Sequence, residues 1–182
     1  MLSSPYLRAV QTSQAIEDVG GLVPDFTGVL TDERLREREF GILDRLTRLG
    51  IEQRHPDLAA SRSLVGKFYF RPPSGESWCD VILRLRSVVD TISLHYSGQR
   101  VLIVAHQVVV LCLRYLIEKM DEKTVLGIDA EGDVANCSVT EYAFNSQSAG
   151  GCLSLLKYNF VAPLERDGAA VTFDPDSNVA AR

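Results

Sequence analysis

Helical spacing of apolar positions is clearest after Ser77, where Val81, Ile82, Leu85, Val88, Val89 and Ile92 share one face. Ser77-Trp78-Cys79-Asp80 in front of them fits a capping box, which predicts a helix from there to about Tyr96. A helix is also predicted from about Pro5 to Val19, with Ser4 as N-cap, Pro5 at the first helical position and Gly20-Gly21 closing it. The run Val101 to Ala105 is wholly apolar and predicts a parallel strand buried on both faces. His106 ends that strand, and a helix is expected from there through about Lys119. This βα unit puts His106 at the carboxyl end of a strand, where open α/β sheets gather their ligand sites.

The rest of the chain reads more coarsely. Gly28 to Leu35 has room for a short strand, Leu43 to Ala60 is irregular or helical, and Phe68 to Gly75 is a turn-rich connection. Cys137 to Phe144 and Cys152 to Phe160 predict two strands, paired as a hairpin across Asn145 to Gly151. The tail from Ala162, with Asp174-Pro175-Asp176, is expected to be irregular. The expected organisation is one α/β domain over residues 1–160 and a carboxyl-terminal tail over 161–182.

Composition narrows the function classes. The chain has 182 residues, 46% hydrophobic and 24% charged, which are ordinary values for one globular domain. A net charge of −5 argues against nucleic acid or an anionic membrane surface as main partner, while leaving room for a small phosphorylated substrate in a local basic pocket. Cys79, Cys112, Cys137 and Cys152 show no C-x-x-C spacing and read as buried free thiols. No apolar run approaches membrane-spanning length and no signal peptide is visible, so a cytoplasmic protein is the expectation. A homo-oligomer is compatible with all of this.

Several residues are candidates for chemistry. His106, by its placement, is favoured as a functional histidine over a core one, and the Gln107 amide beside it suits a polar ligand. Arg8 sits in a helix start where a guanidinium and free backbone N–H groups make a phosphate seat; taken alone, such an arginine is more often solvated than a ligand fork. Glu37, within Leu35-Arg36-Glu37-Arg38-Glu39-Phe40-Gly41, is either part of a solvated charged face or a general acid held near arginines. Glu76 belongs either to the site or to the helix entry. Arg54-His55-Pro56 occupies a polar connection with no strand before it, so His55 reads as a surface histidine, and His95 as a favourable charge at a helix end.

Four segments in order carry a resemblance: Ser4-Pro5-Tyr6-Leu7-Arg8-Ala9-Val10-Gln11-Thr12, Leu35-Arg36-Glu37-Arg38-Glu39-Phe40-Gly41, Pro72-Pro73-Ser74-Gly75-Glu76-Ser77, and Val101-Leu102-Ile103-Val104-Ala105-His106. Together they resemble the histidine phosphatase superfamily, the phosphoglycerate-mutase-like proteins, with His106-Gln107 and Gly75-Glu76-Ser77 similar to the branch containing fructose-2,6-bisphosphatase. The resemblance implies a three-layer α/β sandwich with a mostly parallel sheet, and phosphatase or mutase chemistry on a small phosphate ester through a phosphohistidine. It implies that Arg8 grips phosphoryl oxygens, that His106 helps neutralise the transferring group, and that Glu37 protonates the leaving oxygen. Arg71, Glu76, Ser77, Gln107 and Asn136 are implied at the pocket rim, and no metal or other cofactor is called for.

One departure matters. The family's nucleophile sits in an arginine-histidine-glycine triplet, and this sequence contains none. The expectation is a domain truncated at its amino end, lacking its first strand and the attacking histidine, with a gap and unpaired edges in its sheet. Two functions remain open: a phosphohistidine-dependent enzyme, or a non-catalytic phosphate-binding or scaffold domain of the same descent.

Overall fold

Short parallel strands set the frame on which everything else is hung. The computed structural model describes residues 1–19, 28–147 and 152–172. Strand β1 is Leu2–Ser3, followed by helix α1 over Leu7–Asp18, and strand β2 is Leu30–Thr31. A 3-10 turn over Glu33–Leu35 and a second over Gly41–Leu43 lead to α2 (Arg48–Arg54) and α3 (Pro56–Val65). Helix α4 spans Trp78–His95, strand β3 Ile103–Val104, α5 Gln107–Ile117 and α6 Glu122–Glu131. The chain then forms β4 (Val139–Asn145), β5 (Cys152–Phe160) and α7 (Ala162–Arg166).

The three parallel strands lie in the order β2-β1-β3, with Leu2 beside both Leu30 and Ile103. β4 and β5 pair antiparallel as a separate two-stranded sheet. This is the expected α/β architecture with a parallel sheet and covering helices. The main core packs the inner faces of α4 and α5 together, with Trp78, Val81, Leu85, Val88, Val109, Leu111 and Cys112 wholly buried. A second, smaller cluster of Leu43, Ile51 and Phe70 lies under α2 and α3.

The α4 start is as the sequence predicts: Ser77 accepts the Asp80 amide and the Asp80 carboxylate accepts the Ser77 amide. At α1 the structure differs, because Tyr6, not Ser4, is the N-cap. Ser4 is still extended, its amide donating to the Val104 carbonyl at 2.9 Å, so its side chain is released toward His106. Strand β3 is shorter than the apolar run, and half-buried rather than fully buried, since among the described residues it has a neighbouring strand on one side only. The region read as irregular or helical holds two helices, α6 went unread, and Ala162–Arg166 is helical rather than irregular. All four cysteines are free, but Cys137 and Cys152 are exposed, because each sits at a hairpin or turn position and not in a core-facing run. The expected closure of α1 at Gly20-Gly21, the end of the hairpin turn and Asp174-Pro175-Asp176 lie outside the described residues.

Candidate active site

Pairing of β1 with β3 brings Ser4 and His106 together at the carboxyl ends of adjacent parallel strands. His106 is the N-cap of α5 and is 7% exposed. Its Nε2 lies 2.7 Å from Ser4 Oγ, and its Nδ1 receives Arg8 Nε at 3.2 Å and a terminal Arg8 nitrogen at 3.0 Å. A guanidinium can only donate, so Nδ1 must offer its lone pair and the ring proton belongs on Nε2, shared with Ser4. Ser4 Oγ also accepts the Tyr6 amide at 3.3 Å. The Tyr6 ring meets the His106 imidazole edge-on at 5.2 Å between centroids, and Arg8 stacks over the same Tyr6 ring at 5.4 Å. Arg8 thus sits exposed at the mouth while its fork points inward to a buried histidine.

Glu37 joins this group from the other side. Its Oε1 accepts the Arg38 amide at 2.8 Å, and the Val108 amide in the first turn of α5 acts on the same carboxylate. Burial pushes the Glu37 carboxyl up from its ordinary value, opposed by the Arg38 amide, the Arg8 charge, the Val108 amide and the Arg84 charge. A carboxyl raised by burial and held next to a helix amino end is suited to carrying a proton to a leaving oxygen. Tyr6 closes the rim, its hydroxyl donating to Glu39 Oε1 at 3.0 Å.

Other sequence candidates take different places. Gln107 Nε2 donates to Asp133 at 2.9 Å, while its buried Oε1 has no hydrogen-bond partner among the described residues. Glu76 pairs with Arg84 at 2.9 Å, Ser77 is spent on the α4 cap, and Arg71 pairs with Asp80 on the surface. Asn136 is exposed and bonded to Thr172 at 3.1 Å. His55 caps α3 and His95 is exposed at the end of α4. Arg38 and Arg84 were not singled out from the sequence, although the alternating charges of Arg36 to Glu39 gave a signal that this segment holds ion pairs.

A cavity of about 340 Å³ lies under α2 and α3, floored by Leu43, Ile51 and Phe70 and walled by Arg48, Arg62 and Lys67. Arg38 stands between it and Glu37, donating to the Phe70 and Glu76 carbonyls at 3.3 and 2.7 Å. Burial lowers the Arg38 guanidinium to about 10, and the charge of Arg62 is the next contribution.

The sequence profile of the histidine phosphatase superfamily (branch 1) matches residues 1–152. The chain belongs to that superfamily. It is 33% identical over 153 residues to a 6-phosphofructo-2-kinase/fructose-2,6-bisphosphatase of Caenorhabditis elegans, covering 80% of this chain and 31% of that protein. It is 31% identical over 149 residues to a bifunctional protein of Mycobacterium tuberculosis, covering 82% of this chain and 38% of that one. The superfamily member described here therefore spans about a third of the length of these curated relatives. Among solved structures, a mycobacterial glucosyl-3-phosphoglycerate phosphatase in complex with inorganic phosphate superposes with a TM-score of 0.69 at 26% identity, over 89% of this chain and 77% of that one. The alpha-ribazole phosphatase of Shigella flexneri superposes with a TM-score of 0.68 over 88% of this chain and 73% of that one, and at 19% identity it speaks to the fold alone.

Proposed function

We propose that this chain is the phosphoryl-binding part of a phosphomonoester hydrolase that works through a phosphohistidine, with the attacking imidazole outside these 182 residues. The observation that carries the reading is the convergence of Arg8, His106 and Glu37 at the carboxyl ends of β1 and β3. Arg8 is a donor for phosphoryl oxygens, and so is His106 where a phosphoryl oxygen replaces Ser4 Oγ as acceptor of its Nε2 proton. Glu37, its carboxyl raised by burial, supplies the proton to the departing alkoxide and afterwards takes one from the hydrolytic water.

Three histidines occur in the sequence, and neither His55 nor His95 joins the site, while both His106 ring nitrogens are engaged by Arg8 and Ser4. That supports a separate nucleophile. The edge of β3, the strand that leads to His106, has no partner strand among the described residues, which supports the place where a further strand would bring it. The cationic cavity beyond Arg38 supports a small phosphate ester bearing a second anionic group. The same double engagement of His106 also favours the other reading, a phosphate-binding domain without turnover.

The experiment compares metal-free hydrolysis of an aryl phosphate by the 182-residue chain and by a form extended in frame at its amino end. Turnover in the extended form, trapped phosphohistidine, and loss of both in Arg8→Ala and His106→Ala are expected. Full turnover retained in both variants rejects the site. Phosphate binding without turnover in either form selects the non-catalytic domain.

A further inference from the structure

Residues 36–40, which include Glu37, have no helix or strand of their own. Two side chains from α4 and its approach hold them instead. Glu76 grips Arg84 in a two-point contact, Nε to one carboxylate oxygen at 2.9 Å and a terminal nitrogen to the other at 3.0 Å. Both side chains are largely buried, 19% and 15% exposed. Arg84 then donates to the carbonyl of Arg34 and to that of Glu37 at 3.3 Å. The second oxygen of Glu76 accepts the Glu39 amide at 3.0 Å, and the Glu76 amide donates to the Glu39 carbonyl at 2.8 Å. One ion pair therefore clasps the backbone before, at and after the candidate acid.

We propose that Glu76 and Arg84 act as positioning residues, holding the Glu37 carboxyl against the first turn of α5. The inference rests on reading Glu37 as the acid of the site. A buried ion pair by itself contributes little net stability, because desolvation offsets the attraction. Its distinctive feature here is the direction of its remaining bonds, which end on the segment that carries Glu37 and on the 3-10 turn just before it. The charged and polar groups that act on Glu37 include Arg8 from α1, Arg84 from α4, the Val108 amide and Cys112 thiol from α5, and the amide and guanidinium of Arg38 beside it.

The Arg38 amide, 2.8 Å from Glu37 Oε1, reports where that carboxyl sits. In the 182-residue chain its NMR shift is expected to follow a protonation step that vanishes in Glu37→Gln. Glu76→Gln keeps the Arg84 charge but breaks the clasp, and Arg84→Lys keeps the charge but loses the fork; each is expected to shrink the step severalfold in a folded protein. Arg84→Met is expected to do the same and to raise the Glu37 midpoint, since a favourable positive charge is gone. No step in the unmodified chain, a full-size step in folded Glu76→Gln and Arg84→Lys, or unfolding of all three variants overturns the proposal. Turnover is not part of this measurement. If Glu37→Gln leaves hydrolysis unchanged, the reading of Glu37 as the acid fails, while the amide still decides whether Glu76 and Arg84 place it.

Discussion

Arg8 donates twice to Nδ1 of His106, at 3.2 and 3.0 Å, across 98 residues of sequence. The contact joins an exposed helix start to a buried strand end, so it fixes the mouth of the site relative to its floor. Charge-assisted hydrogen bonds to an anion are worth about 1.5–3 kcal/mol, so Arg8→Ala is expected to weaken inorganic phosphate binding roughly 10- to 150-fold. Calorimetric titration of phosphate into the chain measures it. Because Nδ1 of the buried His106 loses its donor, urea unfolding of the same variant is expected to show a loss of about 1–3 kcal/mol.

Glu37 gives a prediction in pH. Its folded carboxyl is raised above the ordinary 4.5, so the native state holds this proton more tightly than the unfolded chain does. The stabilisation is complete below about 4.5 and is lost as pH rises through the folded value. Glu37→Gln keeps a neutral group there at every pH. Its stability relative to the unmodified chain is therefore expected to improve as pH rises from 5 to 8, read by urea unfolding at both ends. A constant difference across that range rejects the shifted carboxyl.

Two glycines allow the Glu37 segment to lie against the approach to α4. Gly41 has φ +56, and a Cβ there would overlap the Pro73 carbonyl oxygen and come within 2.7 Å of the Gly75 amide nitrogen. A Cβ on Gly75 would meet the Glu39 carbonyl oxygen at 2.7 Å. Gly41→Ala and Gly75→Ala are each expected to destabilise the protein by about 1–3 kcal/mol. Gly66 is the control for a positive φ with open space, φ +88 and nothing nearby, so Gly66→Ala is expected to cost about 1 kcal/mol. Equal losses at Gly41 and Gly66 would show that the close approach adds nothing.

The contrast between these positions explains what the sequence could carry. Local rules found α4 because Ser77 and Asp80 cap it through contacts three residues apart, and they placed His106 because an apolar run ends there. They erred at Ser4 because a serine before proline is a helix cap by local preference, whereas tertiary pairing with Val104 keeps it extended. They missed the roles of Arg38 and Arg84, whose partners lie 38 and 47 residues away on carbonyls that carry no sequence signature. As candidates, Arg8 and Glu37 stood out only because their surrounding motifs resemble a family, whereas the end of an apolar strand already favoured His106.

The thiols divide by burial. Cys112 is fully buried in the core, and burial together with the Glu37 charge pushes its pKa far up, so its thiolate is scarce at neutral pH. Cys79 is half-buried and also raised, mainly by burial. Cys137 and Cys152 are exposed. Native labelling with an aromatic disulfide is expected to modify Cys137 and Cys152 quickly, Cys79 slowly, and Cys112 only after unfolding. Peptide mapping of the labelled protein assigns them, and prompt native reaction at Cys112 rejects the core described here.

The cavity beyond Arg38 makes the substrate prediction. Arg62 is lowered by burial first and then by Arg48, with Asp129 acting the other way. Lys67 pairs with Asp129 and Arg48 with Glu52, so part of the positive charge is already balanced within the wall. The charge of Arg62 also repels that of the buried Arg38, against the pull of Glu37 and Glu76. An anionic group entering there relieves that repulsion, while Leu43, Ile51 and Phe70 offer apolar surface to the body of the ligand. A short alkyl bisphosphate is therefore expected to bind more tightly than inorganic phosphate. Arg62→Ala is expected to weaken the bisphosphate by about tenfold, the worth of one charge-assisted contact, and to leave inorganic phosphate unchanged. Arg8→Ala is expected to weaken both, which separates the two subsites. Equal losses for both ligands in Arg62→Ala would place Arg62 in the phosphoryl site itself, and no loss for either would remove the cavity from substrate recognition.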